Sequence, residues 1–447
     1  MKNKELLNDP ERYVIYFTDN DLNSFNLIGM NTESVCIGGP EGYSDFLQQV
    51  EYNDHLKNKT AVLIFNKATE DEQVFRKQII ADLNRKKITW TEPKKLIKTT
   101  LTEAMMTDPD FEKKFQQYKK QIEYAADPAP DKISKYFDKY FEEDLQAFKE
   151  GTSNRTGFDS LDSYTRGIYA GLYIIGAVSS LGKTTFSHQL ADNIARTGQH
   201  VLYFSLEQSR FEMVSKSISR ESWKQDPKSA LSSLEIREGK KSEATEKAKE
   251  IYLQQYADNI SVIEGNFGTT AGYIREYTEK YIKRNKQRPV IFVDYLQILQ
   301  PEKDPDTGRK PADAKSITDA NITALKRISR DFNIPVFAIS SLNRSNYLNE
   351  IDFESFKESG GIEYGADVVF GLQLAVIHEG IFDQQNKLNE KRQRMNEAKN
   401  EIPRAVELVC LKNRYGKRGW TVNFKYDPRF DIFREDLPQT GKKTMTI

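Results

Sequence analysis

Cysteine is nearly missing from this chain of 447 residues: Cys36 and Cys410 are the two, and their spacing suggests no zinc site. Both fall in apolar, strand-like runs, so buried thiols in a reducing compartment are expected. Long apolar runs are missing too. No stretch approaches the roughly 18 residues that would span a bilayer, and the start of the chain has no signal-peptide pattern. The expectation is a cytoplasmic protein with no membrane partner. Nor is there an excess of one charge, since Lys+Arg and Asp+Glu stand at 66 each. Any nucleic-acid surface must then come from local placement of charge, such as the lining of a pore. No internal repeat is evident. What is there, 38% hydrophobic and 30% charged residues, is the composition of a globular protein with room for two or three domains.

Three segments separate by pattern. Residues 1–125 alternate short apolar strands (13–17, 34–37, 61–65) with helical stretches (44–51, 71–85), a small α/β unit of parallel-sheet character. Ala125-Ala126-Asp127-Pro128-Ala129-Pro130 then breaks the composition as a linker does. Within the linker segment, 126–151, Ile133, Tyr136, Phe137, Tyr140, Phe141, Leu145 and Phe148 recur at helical spacing. That amphipathic helix either packs on its own domain or docks on a neighbouring subunit. From 152 to 447 strands and helices alternate again, with short β-branched runs at 201–205, 260–263, 290–294, 336–340 and 368–374 suited to a sheet covered on both faces. The polar stretch 382–401 reads as a solvated helix or loop, or as an insertion facing DNA or a partner.

Chemistry concentrates in this third segment. The apolar run Leu172-Tyr173-Ile174-Ile175 is followed by Gly176-Ala177-Val178-Ser179-Ser180-Leu181-Gly182-Lys183-Thr184-Thr185 and then a helical pattern. A strand, a small-residue loop and a helix N-terminus together make a phosphate cradle: N–H groups of Ser179 to Thr185 face the phosphates, Lys183 adds a point charge, and Thr184 can ligate Mg²⁺. One position is off pattern, because Ala177 stands where the general motif has glycine and Gly176 comes one place early.

Val290-Ile291-Phe292-Val293-Asp294 delivers a carboxylate to a strand end, where it either caps a turn or joins the Mg²⁺ shell. Glu207 closes the strand after the cradle helix, either as a surface residue or as the base that aligns and deprotonates a water for γ-phosphate hydrolysis. Lys412-Asn413-Arg414 closes a later strand before the basic turn 415–419. That is a charged hairpin tip or a pair of cations, Lys412 and Arg414, reaching into the active site of a neighbouring subunit.

In this order the motifs resemble those of the DnaB-type replicative helicases, ring motors built on a RecA-like domain. Thr156-Gly157-Phe158-Asp159-Ser160-Leu161-Asp162 is similar to that domain's lead-in, and the span 177–184 to the family's Walker A, which also tends to carry alanine at its first position. Ser205-Leu206-Glu207-Gln208-Ser209 resembles the segment of the catalytic glutamate, and Asp294-Tyr295-Leu296-Gln297 the Walker B. Ser340-Ser341-Leu342-Asn343-Arg344 and Glu358-Ser359-Gly360-Gly361-Ile362-Glu363, with Ala366-Asp367, resemble two further motifs, and Lys412-Asn413-Arg414 the trans-acting pair. The resemblance implies an α/β fold with a central, mostly parallel RecA-like sheet, ATP and Mg²⁺ as cofactors, and a homohexamer around single-stranded DNA. It implies DNA contacts at Arg344, Lys357, Glu358 and Gly360, from a loop whose backbone and Lys357 would read phosphates without reading bases. One position departs: Ser341 stands where the family has a γ-phosphate-sensing glutamine, so water, Asn343 or another group must substitute.

More faintly, residues 11–105 resemble a toprim domain, the metal-binding fold of primases, through Tyr16-Phe17-Thr18-Asp19, Cys36-Ile37-Gly38-Gly39, Val62-Leu63-Ile64-Phe65-Asn66-Lys67-Ala68 and Thr102-Glu103-Ala104-Met105. Asp19 replaces the family glutamate, and Asn66 and Ala68 replace its two aspartates. Two-metal chemistry needs anionic oxygens, so a catalytically dead unit is expected, retained for assembly, DNA handling or contact with a loader or primase. The overall expectation is a 5′→3′ helicase serving replication, in the setting of a phage or other mobile element. The alternatives are a RecA/RadA-like recombination ATPase and a nucleotide-gated interaction protein that does not hydrolyse.

Overall fold

The computed structural model describes residues 1–129, 132–139, 141–151, 155–266, 268–303, 308–311, 313–343, 347–356, 360–384 and 387–436. It divides into two compact units, Met1–Glu143 and Asp144–Ile447.

In the first unit, β1 (Val14–Thr18), β2 (Ser34–Cys36), β3 (Thr60–Ile64) and β4 (Trp90–Thr91) form a sheet in the order β2-β1-β3-β4, each neighbouring pair parallel. β1 is apolar at successive positions because both faces are covered. Ile15 and Phe17 meet Phe46, Val50 and Ile79 on one side, while Val14 and Tyr16 meet Leu27, Phe111 and Phe115 on the other. The acidic run Glu70-Asp71-Glu72 opens the helix Glu70–Arg85, where Thr69 and Glu72 close a capping box. Its charges therefore serve the helix dipole. Further on, Ile133–Lys139 and Phe141–Gly151 are helical, Tyr140 lying outside the described residues.

The second unit contributes β5 (Gly171–Ala177), β6 (Val201–Ser205), β7 (Ile260–Glu264), β8 (Val290–Asp294), β9 (Pro335–Ser341), β10 (Val368–Leu374), β11 (Arg404–Asn413), β12 (Thr421–Asp427) and β13 (Ile432–Glu435). Among the described residues these strands make one sheet in the order β13-β12-β11-β10-β5-β9-β8-β6-β7. From β10 to β7 the strands are parallel, and β11 to β13 run antiparallel. Alternation along each parallel strand feeds two cores. Tyr173, Ile175, Tyr203, Phe292 and Phe337 point to one, and Leu172, Ile174, Leu202, Phe204, Ile291 and Val336 to the other.

The register brings four strand ends into line: Ala177 pairs with Ser341, and Ser205 with Asp294. This carboxyl edge is where ligands bind in open α/β sheets. Residues 388–400 are helical, with Met395 and Ala398 buried and most of the other positions exposed. Both cysteines are buried free thiols, and no described helix is long and apolar enough to cross a membrane.

Candidate active site

The loop after β5 folds as it does because two residues take left-handed backbone, Ser180 at φ +65° and Gly182 at φ +93°. Glycine is required at 182 for a second reason: a Cβ there would stand 2.8 Å from Tyr426 Cε1 and 3.0 Å from Phe433 Cζ. Gly182 is the N-cap of the helix Lys183–Arg196. Phe186, wholly buried, holds the first turn of that helix against Phe158, Phe424 and Phe433 at ring separations of 5.7, 5.6 and 5.3 Å. A buried phenylalanine in such a cluster contributes about 3–5 kcal/mol relative to alanine, so the helix start is rigid. Its first-turn N–H groups and dipole face the mouth of the loop, where an anion is favoured. The Arg404 guanidinium lies 5.6 Å over the Tyr426 ring and donates to the Ser180 carbonyl at 2.9 Å, fixing the loop from β11.

Asp294 ends β8 in a dry environment, 2% exposed. Its Oδ2 accepts from the Tyr203 hydroxyl at 3.1 Å, and its Oδ1 has no hydrogen-bond partner among the described residues. Burial pushes its carboxyl above the ordinary range, against the Thr184 and Tyr203 hydroxyls; the negative charge of Glu207 pushes the same way as burial, and Lys183 opposes it. A buried, orphaned carboxylate oxygen beside a hydroxyl suits the hydrated shell of a nucleotide-borne Mg²⁺, which keeps several waters and takes few protein ligands. Thr184 and Asp294 thus fit the ion.

Glu207 is exposed. The Leu206 N–H donates to the Asp294 carbonyl at 2.8 Å, and the Ser205 hydroxyl donates to the Gln208 carbonyl at 2.5 Å. A capping box of Ser209 and Glu212 then opens the helix Arg210–Gln225. Glu207 therefore sits on a pinned turn, close enough for its charge to act on Asp294.

The Lys183 ammonium donates to the Ser341 hydroxyl at 3.0 Å and lies 5.8 Å from the centre of the Tyr295 ring. Gln297 braces this strand end, donating to the Ser340 hydroxyl at 2.9 Å and accepting from the Ser341 N–H at 3.3 Å. Asn343 faces another way. Its side chain donates to the carbonyls of Phe356 and Glu354 at 3.1 and 3.3 Å, its N–H donates to the Ser355 carbonyl at 2.7 Å, and Leu342 bridges Phe356 antiparallel. The expected DNA residues Arg344, Lys357 and Glu358 lie outside the described residues, and Gly360 opens the helix Gly360–Gly365.

Lys412 and Arg414 are elsewhere. Because β11 is antiparallel to β10, Asn413 pairs with Val368, whereas the phosphate-loop strand reaches its end at Ala177 opposite Leu372. Four strand residues separate the two levels, about 13 Å. Arg414 is bonded to Asp367 at 3.2 Å with its side chain 70% exposed, and Lys412 donates to the Glu363 carbonyl. Asp367 is itself 2% exposed; it also accepts from the Leu172 N–H at 2.8 Å and pairs with Lys326.

In the first unit the toprim-like positions are occupied by one another. Asp19 Oδ1 accepts from Asn20 and Asn23 at 3.0 and 2.8 Å, Asp19 Oδ2 accepts from the Asn66 N–H at 2.9 Å, and Asn23 also donates to Asn66 Oδ1 at 3.0 Å. Burial pushes the Asp19 carboxyl up against those bonds. Among the described residues no group of three or more His, Cys, Asp or Glu could hold a metal.

Sequence reasoning overlooked Tyr347 and Arg404, which bond Ser179 and Ser180 from 168 and 224 residues away. No local motif marks either one.

Residues 154–435 match the family model of the DnaB-like helicase C-terminal domain. The chain is similar to the replicative DNA helicase DnaB of Helicobacter pylori (strain ATCC 700392 / 26695), 29% identical over 65% of this chain and 60% of the relative. It is also similar to a probable replicative DNA helicase of Trieres chinensis, 28% identical over 62% and 56%. It thus spans less than two thirds of these relatives' length. Among solved structures, the ATPase domain of G40P aligns with a TM-score of 0.52 at 22% identity, over 68% of this chain and 98% of that one. A DnaB-like replicative helicase studied for its interactions with primase aligns with a TM-score of 0.51 at 20% identity, over 81% and 77%. Both share the fold.

Proposed function

The chain belongs to the DnaB-like helicase family through its C-terminal domain, and on that premise we propose that it is an ATP-driven replicative DNA helicase working as a homohexameric ring. The division of the site supports this most. Lys183, Thr184, Asp294 and Glu207 gather at the carboxyl edge of one sheet, while Lys412 and Arg414 end an antiparallel strand at the opposite edge. A cation pair that cannot reach its own phosphate loop is suited to the loop of the next subunit, as a ring requires.

In this reading the loop N–H groups from Ser179 to Thr185 hold the nucleotide phosphates and Lys183 pairs their outer oxygens. Mg²⁺, when bound, neutralises charge on the β/γ oxygens; Thr184 would hold it directly and Asp294 through water. Glu207, exposed next to that site, aligns an attacking water and takes its proton. Arg414, with Lys412, stabilises the charge on the transferring phosphoryl group from the neighbouring subunit. The loop from Phe356 to Gly361, with Lys357, Glu358 and Gly360, contacts one DNA strand through its backbone and the Lys357 ammonium, and Arg344 adds to that contact. We assign 5′→3′ polarity from the family resemblance, and a mobile-element setting from the primase-like first unit. That unit, its Asp19 wrapped in amides, acts in assembly or in contact with a loader or primase.

The test is ATP-dependent unwinding of a forked duplex by the unaltered chain, Lys183→Ala and Arg414→Ala. Unwinding is expected from the first alone, with Lys183→Ala losing nucleotide binding. Arg414→Ala should retain binding but lose about 10³-fold or more in hydrolysis. No unwinding by the unaltered chain refutes the helicase, and a fully active Arg414→Ala refutes the trans assignment.

A further inference from the structure

At the end of β9, neither Ser341 nor Asn343 offers a free side chain to a terminal phosphate. Ser341 is short and is engaged by the Lys183 ammonium at 3.0 Å. The Asn343 amide is spent on the carbonyls of Glu354 and Phe356. Six residues past Ser341, the Tyr347 hydroxyl stands 3.3 Å from both the N–H and the hydroxyl of Ser179, inside the mouth of the phosphate loop. The Lys399 ammonium lies 5.4 Å from the centre of the Tyr347 ring, and the ring lines a small apolar pocket with Val178, Leu342 and Met395.

We propose that Tyr347 is the phosphate-contacting residue of this segment, its phenol donating to an outer oxygen of the nucleoside triphosphate and so distinguishing triphosphate from diphosphate. This rests on the nucleotide site proposed above. The phenol oxygen now accepts from the Ser179 N–H, a donor that a phosphate oxygen takes when nucleotide enters. The phenol then turns from acceptor to donor toward the oxygen that displaced it. The ammonium charges of Lys183 and Lys399 act on the phenol from nearby, so the hydroxyl stands in a positive field that favours an anion beside it. Tyr347 also shares its pocket with Leu342 and Ser355, beside the bridge between Leu342 and Phe356.

The experiment measures affinity of the full chain for ADP and for a non-hydrolysable ATP analogue, both with Mg²⁺, in the unaltered protein and in Tyr347→Phe. The substitution keeps the ring against Lys399 and the pocket and removes only the oxygen. Expected is a loss of about tenfold for the triphosphate analogue, the size of one hydrogen bond to a charged group, with ADP affinity unchanged. Unchanged ADP binding also shows the variant folded with its loop intact. Equal loss for both nucleotides, equal gain for both (a phenol that merely plugs the empty loop), or no change would each overturn the assignment. Should the unaltered chain bind neither nucleotide, the site itself fails, and Tyr347 with it.

Discussion

Gly176, one place ahead of where the phosphate-loop pattern has its first glycine, lies where a side chain would strike the buried Phe356 ring. A Cβ added there would stand 2.3 and 2.5 Å from Cε1 and Cζ of Phe356 and 3.0 Å from Leu342 Cδ2, against about 3.5–4.0 Å for a relaxed carbon contact. Backbone retreat is barred, since Gly176 sits on a central strand paired with Ser340 on one side and Gly371 on the other. The ring must therefore move by more than an ångström inside a core where Phe356 is wholly buried. Overpacking of this kind costs about 1–3 kcal/mol, and a rigid ring hemmed in on all sides belongs in the upper half. At about 1.6 °C per kcal/mol for a unit of about 300 residues, Gly176→Ala should lower the melting temperature by about 3–5 °C. Phe356→Leu, a large-to-small change in the core, should by itself cost about 1–3 kcal/mol, and combined with Gly176→Ala it should return part of the loss. The assay is urea unfolding of all four species of the double-mutant cycle. A coupling below about 0.5 kcal/mol, the limit of additivity for independent sites, or a neutral Gly176→Ala, would refute the packing argument.

Two further outcomes are expected. His188 is wholly buried and, chiefly through that burial, is held down to about 4, with Asp192 and Asp431 pulling it up and Arg220 and Lys216 pulling it down. A depressed histidine stays neutral in the folded chain while the unfolded chain takes up a proton below about 6.5. Its contribution to stability is therefore present above that value and lost as pH falls toward 4, by about 2 kcal/mol at pH 5. Replacing His188 with glutamine should flatten that part of the urea-midpoint profile, and an unchanged slope would refute the assignment. The amide wrapping of Asp19 gives the other: purified chain with ribonucleotides, Mg²⁺ and a single-stranded template should make no primers, and a labelled product would show that the first unit has metal chemistry after all.

The parallel strands were legible because strands with two covered faces must be apolar at every position; Val290–Asp294 and Val201–Ser205 stand out by composition alone. Lys183, Thr184, Glu207 and Asp294 were nameable because each follows directly from a strand or opens a helix, so local pattern and spatial place coincide. Such coincidence ends where place depends on strand direction. That Lys412 and Arg414 lie far from their own phosphate loop follows from β11 running antiparallel to β10, a pairing made across a span of some forty residues, and no spacing within Lys412-Asn413-Arg414 encodes it. The same holds for contacts made through loops. Ser341 was legible as a missing glutamine but not as the partner of Lys183, and Tyr347 lay in a polar stretch without a motif. Gly176 joins the two cases. As sequence it is a glycine one place early; in the fold it is the gap that admits Phe356 against β5, beside the Leu342–Phe356 bridge. Alanine suffices at 177, which is wholly buried and takes an ordinary strand conformation, so the small residue the packing demands sits at the neighbouring position. An apparent misspelling of the phosphate motif is thus the trace of a tertiary contact between the phosphate-loop strand and Phe356, where the proposed DNA loop begins.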